Sequence, residues 1–302
     1  MSTFRRAAPP PERASARPTA AQKSPTQPAA ASRAQPPQRQ RPTADEGERL
    51  SKRVMQIKGC SRSEAERYIE GGYVMVDGVV VEDPPFRVQD QTVTVAPDAT
   101  LLEFTDVTLI LHKPAGWLDG VDDDDKEAPR APGKKPRPKN ARTLLTAANH
   151  SASDASGIRM LQRHLRHLEA EVPLETGASG LVVFTQDWRI SRKLGEDLGT
   201  MEHELIVDVR GEVQPEQLQA IGQLLANPRE RLPHTRFSVN SSAPQSSKLR
   251  FAIKGAHPGL VAYLCGKAGL EITAMRRIRL GRVALTDLPV GQWRYLAAHE
   301  KF

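Results

Sequence analysis

Two runs of strand-forming residues, Val74-Met75-Val76 and Val79-Val80-Val81, flank the dipeptide Asp77-Gly78. Asp-Gly tolerates the positive φ angles that a two-residue turn demands, so the chain must reverse here and pair the runs as a hairpin. An isolated hairpin is marginal in water and needs an apolar cover. The preceding residues supply one. Leu50, Val54 and Ile57 recur at helical spacing. Ser61 with Glu64 three residues on is a capping-box pattern that starts a second helix. Ala65, Tyr68 and Ile69 give that helix its apolar side, and Gly71-Gly72 ends it. Val93 to Val95 reads as a further short strand. Helix, helix and hairpin make one small module over residues 47–98.

Residues 1–46 contrast with this module. They are Ala, Pro, Gln, Ser and Arg with almost no Leu, Ile or Val. Such a composition cannot bury enough apolar surface to offset ordering entropy, so a disordered basic tail is expected. Residues 1–47 hold eight Arg and Lys against three acids, which is most of the chain's net charge of +7. The pI near 9.5 is therefore a weak sign of a polyanionic partner by itself.

The chain has 302 residues, enough for two domains of ordinary size. It has no apolar run of about eighteen residues and no apolar leader, so neither a membrane span nor export is expected. Cys60 and Cys265 stand far apart in no metal-binding pattern. No disulfide or zinc site is expected, and a reducing cytoplasm is the default setting.

Leu109-Ile110-Leu111 opens a second domain, expected over 108–300. Residues 119–142 interrupt it with six acids, seven bases and four prolines, including Asp122 to Asp125 in a row. A core cannot use such a segment, so a disordered loop is expected there. Beyond it, strands are expected at Leu181 to Phe184, Leu205 to Val209 and Ile278 to Leu280. Helices are expected at Leu161 to Leu168 and Pro215 to Leu225.

The helix pair of the first module carries Arg49, Lys52, Arg53, Lys58, Arg62 and Arg67 against three acids. These bases can neutralise phosphates, or they can be an ordinary solvated surface. Arg49-Leu50-Ser51-Lys52, Ser61-Arg62-Ser63-Glu64-Ala65, Ile69, Gly72, Val74, Val76 and Asp77-Gly78 resemble the S4-type RNA-binding domain in order and spacing. The resemblance implies that Arg49, Lys52, Arg53 and Arg62 contact structured RNA.

Several stretches of the second domain resemble the bacterial S4-containing pseudouridine synthases of ribosomal RNA. They are Leu111-His112-Lys113-Pro114-Ala115-Gly116, Ser179-Gly180-Leu181-Val182-Val183-Phe184-Thr185-Gln186-Asp187, Met275 to Gly281, and Leu288 to Leu296. The resemblance implies an α+β protein: a small S4-type domain, then a mixed, largely antiparallel sheet with a cleft across it. It also implies ribosomal RNA as partner, a monomer, no cofactor, and Lys113 as a further RNA contact.

In that family a carboxylate begins cleavage of the glycosidic bond of a flipped uridine, an Arg holds the carboxylate, and a Tyr helps remove the surplus proton. The matching stretch here is Pro173-Leu174-Glu175-Thr176-Gly177-Ala178-Ser179-Gly180-Leu181, so Glu175 replaces the Asp and Pro173 the Arg. Leu205 takes the place of the Tyr. The family's arginine-bearing helix falls on Pro258 to Leu264. Misplacing a reacting group by about 1 Å can cost about a hundredfold in rate, and neither Pro173 nor Leu205 can supply the missing groups. The expectation is an RNA binder with an eroded catalytic centre. The alternative is an active isomerase using Glu175, which would need a cation close by from Lys113, Arg276 or Arg277.

Two other features stay open. His164 and His167, with Arg163 and Arg166, read as an exposed basic helix face, since no third metal ligand of suitable spacing is visible. Trp188 reads as a core or rim aromatic, with a platform for a base as the alternative.

Overall fold

The computed structural model describes residues 47–101, 105–121 and 138–302. The expected basic tail lies outside the described residues, as does 122–137 of the expected loop.

The small domain begins with β1 (Glu48–Arg49), α1 (Leu50–Lys58) and α2 (Arg62–Glu70). Ser61 Oγ accepts from the Glu64 N–H and the Glu64 carboxylate from the Ser61 N–H, so the capping box forms on both sides. Strand β2 (Val74–Val76) pairs antiparallel with β3 (Val79–Val80) across the turn. Asp77 and Gly78 there have φ of 50° and 81°. Strand β4 (Arg87–Val88) pairs with β1, and β5 (Val93–Val95) with β2. Leu50, Val54, Ala65, Ile69, Val74, Val76 and Val88 are buried together as the core of this domain. Ile57 is not part of it and is 47% exposed. It sits in the last turn of a short helix, where Met55 packs against the core instead.

The large domain is one sheet in the order β10-β11-β9-β12-β8-β6-β14, with β13 beside β12 and β7 beside β8. The strands are β6 (Thr108–Lys113), β7 (Glu169–Glu171), β8 (Ser179–Thr185), β9 (Glu202–Arg210), β10 (Thr235–Ser241), β11 (Ser246–Lys254), β12 (Ile272–Leu280), β13 (Val283–Ala284) and β14 (Trp293–Tyr295). Every pairing is antiparallel except β12 with β8, in line with the mixed, largely antiparallel sheet of an α+β protein.

Strand β8 reads as an unbroken apolar run because both its faces are covered. Val182 and Phe184 join the larger core, and Leu181 and Val183 the smaller one on the opposite face. Helices α4 (Pro215–Ala226) and α5 (Leu260–Lys267) cover the larger core through Ile221 and Leu264. Helix α3 (Trp188–Glu196) covers the smaller through Leu194.

The helix expected at Leu161 to Leu168 is a single 3₁₀ turn, Gln162–Leu165, followed by His167 at φ 51° and then β7. Gln186 gives the reason: its Nε2 donates to the carbonyls of Arg163 and Arg166 at 2.8 and 2.7 Å. Those acceptors are thereby held by β8's end rather than by a continuing helix. His164 is consequently buried, with Nδ1 2.8 Å from the Tyr295 hydroxyl, and is no part of an exposed basic face.

Candidate functional site

The turn between β7 and β8, residues 172–178, carries Glu175. It is fastened from below by two buried cations. Arg277, 1% exposed, donates Nε to Leu181 O at 2.7 Å, Nη1 to Pro173 O at 2.9 Å and Nη2 to Val172 O at 3.0 Å. Val172 has φ 60°, a costly conformation for a β-branched residue, and the guanidinium holds its carbonyl there. Gly180 makes this approach possible: a Cβ on it would lie 2.3 Å from Arg277 O. Burial pushes the Arg277 pKa down to about 10, against the opposing pull of Asp119.

Lys113 holds the other end of the turn. It is fully buried, and its ammonium lies 2.6 Å from Ala178 O, 2.7 Å from Trp117 O, 3.2 Å from Pro114 O and 3.4 Å from Thr176 O. Three N–H donors facing four carbonyls leave none to spare. Desolvation lowers its pKa to about 8, opposed by the charges of Asp119 and Glu175. Asp119 accepts from the Leu174 N–H at 2.7 Å. Lys113 thus works on backbone oxygens inside the protein.

Glu175 itself reaches across to α5. Its Oε1 accepts from the Gly259 N–H at 2.8 Å. Gly259 is the N-cap of α5 and has no side chain to cap the helix itself, so the carboxylate of Glu175 takes that role and faces the positive end of the helix dipole. Among the described residues Glu175 has no ion pair. Pro173, His203, Leu205, Ile253, His257 and Val261 stand around it. They leave about 20 Å³ for a water-sized guest, room for about one water molecule. His203 is buried in this wall, and desolvation with the nearby Arg277 pushes its pKa down to about 3. Arg276, next to Arg277 on β12, points to the other face of the sheet and is exposed.

The bases of the small domain lie on its surface. Arg49 is exposed at the start of α1. Lys52 and Arg53 share Glu48 at 2.8 and 3.0 Å, and Arg62 pairs with Glu66 at 2.8 Å. Exposed pairs of this kind contribute roughly 0–1 kcal/mol, so a phosphate can displace the acid. A joint absent from the sequence reading ties the two domains. Arg159 donates to Gly72 O at 2.9 Å and lies over the Tyr73 ring, and the Gln162 N–H donates to Glu82 at 2.5 Å. Trp188 is 61% exposed at the start of α3. Among the described residues no cluster of three His, Cys, Asp or Glu could hold a metal, and no helix is long and apolar enough to cross a membrane.

Comparison with known proteins matches residues 48–93 to the S4 domain. Over its larger extent the chain is 24% identical to an uncharacterized RNA pseudouridine synthase of Aquifex aeolicus, covering 83% of this chain and 94% of that protein. It is also 24% identical to the dual-specificity RNA pseudouridine synthase RluF of Salmonella typhi, covering 85% and 78%. A crystal structure of a pseudouridylate synthase superposes with a TM-score of 0.47 at 17% identity, over 82% of this chain and 96% of that one. Residues 48–93 thus carry the S4 match, and over its larger extent the chain is similar to proteins named RNA pseudouridine synthases.

Proposed function

We propose that this protein binds structured RNA, ribosomal RNA in particular, through its S4 helices, and does not isomerise uridine. In this reading it acts as a monomer in the bacterial cytoplasm. The basic tail of residues 1–46 adds non-specific affinity. The S4 domain and the homologues named as RNA pseudouridine synthases support the choice of RNA.

One observation carries the choice of binding over turnover. The carboxylate expected to do chemistry is engaged as the cap of α5, in a space for about one water. Pockets that enclose a ligand run to roughly 300–1,000 Å³. Leu205 and Pro173 line that space and offer no side-chain group to move a proton or hold the carboxylate. The competing isomerase reading draws on the closeness of Lys113, whose pKa the charge of Glu175 raises against the effect of burial. That ammonium, however, has every donor on a backbone carbonyl.

The binding half is tested on the full chain with ribosomal RNA fragments, by fluorescence anisotropy over a salt series. Arg49→Ala with Lys52→Ala is expected to weaken binding and to flatten the log–log salt slope by about two phosphate contacts. An unchanged affinity and slope would assign RNA binding to another surface.

A further inference from the structure

Over β10, β11, β9 and β12 the sheet has a face that neither core covers. On β11, Leu249, Phe251 and Ile253 point into the larger core, while Lys248, Arg250 and Lys254 alternate with them and are exposed. The register extends this face across four strands. Ser238, Arg250, Ile206 and Arg276 lie in one row, and Arg236, Ala252, Glu204 and Arg279 in the next. Rows are about 6.8 Å apart and neighbouring strands about 4.8 Å.

The charges on this face are ordered. Its carboxylates, Glu202, Glu204 and Asp208, all stand on the inner strand β9. The bases stand on the strands to either side. Arg279 pairs with Glu202 at 2.7 Å and also with Glu204; Arg236 pairs with Glu202 at 2.6 Å; Arg250 pairs with Glu204. Glu204 is 9% exposed and Glu202 22%, against 66% for Arg236 and 45% for Arg250. Glu202 and Glu204 therefore lie beneath Arg236 and Arg250 and hold their guanidinium groups in place, and the bases of this face outnumber its acids. Lys254 and Arg276 add two charges with no ion pair among the described residues. Between Arg236 and Arg250, the small residues Ser238 and Ala252 leave a depression of about 270 Å³.

We infer that this open face is a second RNA contact, which takes the sugar–phosphate backbone on the side of the sheet opposite Glu175. The inference rests on the reading of the chain as an RNA binder and deepens it. Guanidinium groups set in rows by buried carboxylates suit phosphate oxygens bidentately. RNA lying here is separated from Glu175 by the thickness of the sheet.

The test uses the full chain, an RNA hairpin of mixed sequence, and anisotropy over a salt series. Lys254→Glu with Arg276→Glu leaves every ion pair of the network intact but sets a like charge opposite Glu202, so the thermal midpoint is held to the neutral pair Lys254→Gln with Arg276→Gln, where it should not move. With the charge reversals, affinity near physiological salt should fall about tenfold, and the salt slope should flatten by about two. Lys254→Gln with Arg276→Gln should show the same flattening without added repulsion. If both variants bind like the parent while Arg49→Ala with Lys52→Ala still weakens binding, the sheet face is not an RNA contact and the S4 reading stands. If the parent protein does not bind the hairpin, the RNA reading itself fails. Polyglutamate that binds this face and displaces the RNA as the same substitutions dictate would overturn the assignment in favour of an acidic protein partner.

Discussion

Arg277→Met tests the claim that the turn bearing Glu175 is held by buried cations. The guanidinium serves three backbone carbonyls at 2.7 to 3.0 Å and is 1% exposed. Met fills a similar volume but donates nothing. Each buried carbonyl left without a partner costs about 1–3 kcal/mol. Relief from burying a charge offsets part of that sum, so for three carbonyls a net cost of about 3–5 kcal/mol is expected. Stabilities of native proteins are about 5–15 kcal/mol, so the loss is large. At about 2–4 °C per kcal/mol for a chain of this size, the thermal midpoint should drop on the order of 10 °C. Arg276→Met is the matched control. It changes the neighbouring residue on the exposed face and should stay within about 0.5 kcal/mol. Arg277→Lys keeps the charge with one nitrogen in place of three and should fall between. Urea and thermal unfolding measure all three. An Arg277→Met protein whose midpoint lies within about 2 °C of the parent would refute the clamp.

Two further outcomes follow from the same geometry. Burial pushes His203 down to about 3 and His164 down to about 4, from an ordinary value of 6.5. Both are neutral when folded, so below pH 6.5 the unfolded chain binds more protons. Stability should be full above pH 6.5 and should decline as pH falls toward about 4, and His203→Gln should flatten that decline in pH-resolved urea titrations. Glu175→Ala removes the cap of α5 and should destabilise by about 1 kcal/mol. Glu175→Gln keeps an acceptor and should lose less; equal losses in the two variants would show that charge, not the hydrogen bond, is what α5 uses.

What the sequence disclosed was mostly local. The capping box at Ser61 and Glu64 and the Asp77-Gly78 turn need only residues a few positions apart, and both form as expected. The strand expected at Leu181 to Phe184 also forms, within β8. The hairpin of β10 and β11 was missed, although Leu249, Phe251 and Ile253 alternate with polar residues at the strand period. The clamp could not be read at all. Arg277 meets its carbonyl partners from 96 to 105 residues away, and a carbonyl carries no residue signature. For the same reason the partners of Lys113 could not be read, because they are backbone carbonyls of its own loop and of Thr176 and Ala178. The place of Glu175 was legible, but its partner was not, because the Gly259 N–H leaves no mark in the side-chain sequence.

The central claim is binding without turnover, and tritium release from uracil-labelled ribosomal RNA tests it most directly. The full chain should bind this RNA and release no tritium above a blank, and Glu175→Asp should not restore release because Pro173 and Leu205 remain. Release by the parent protein that Glu175→Ala abolishes would contradict the account and establish Glu175 as a catalytic carboxylate.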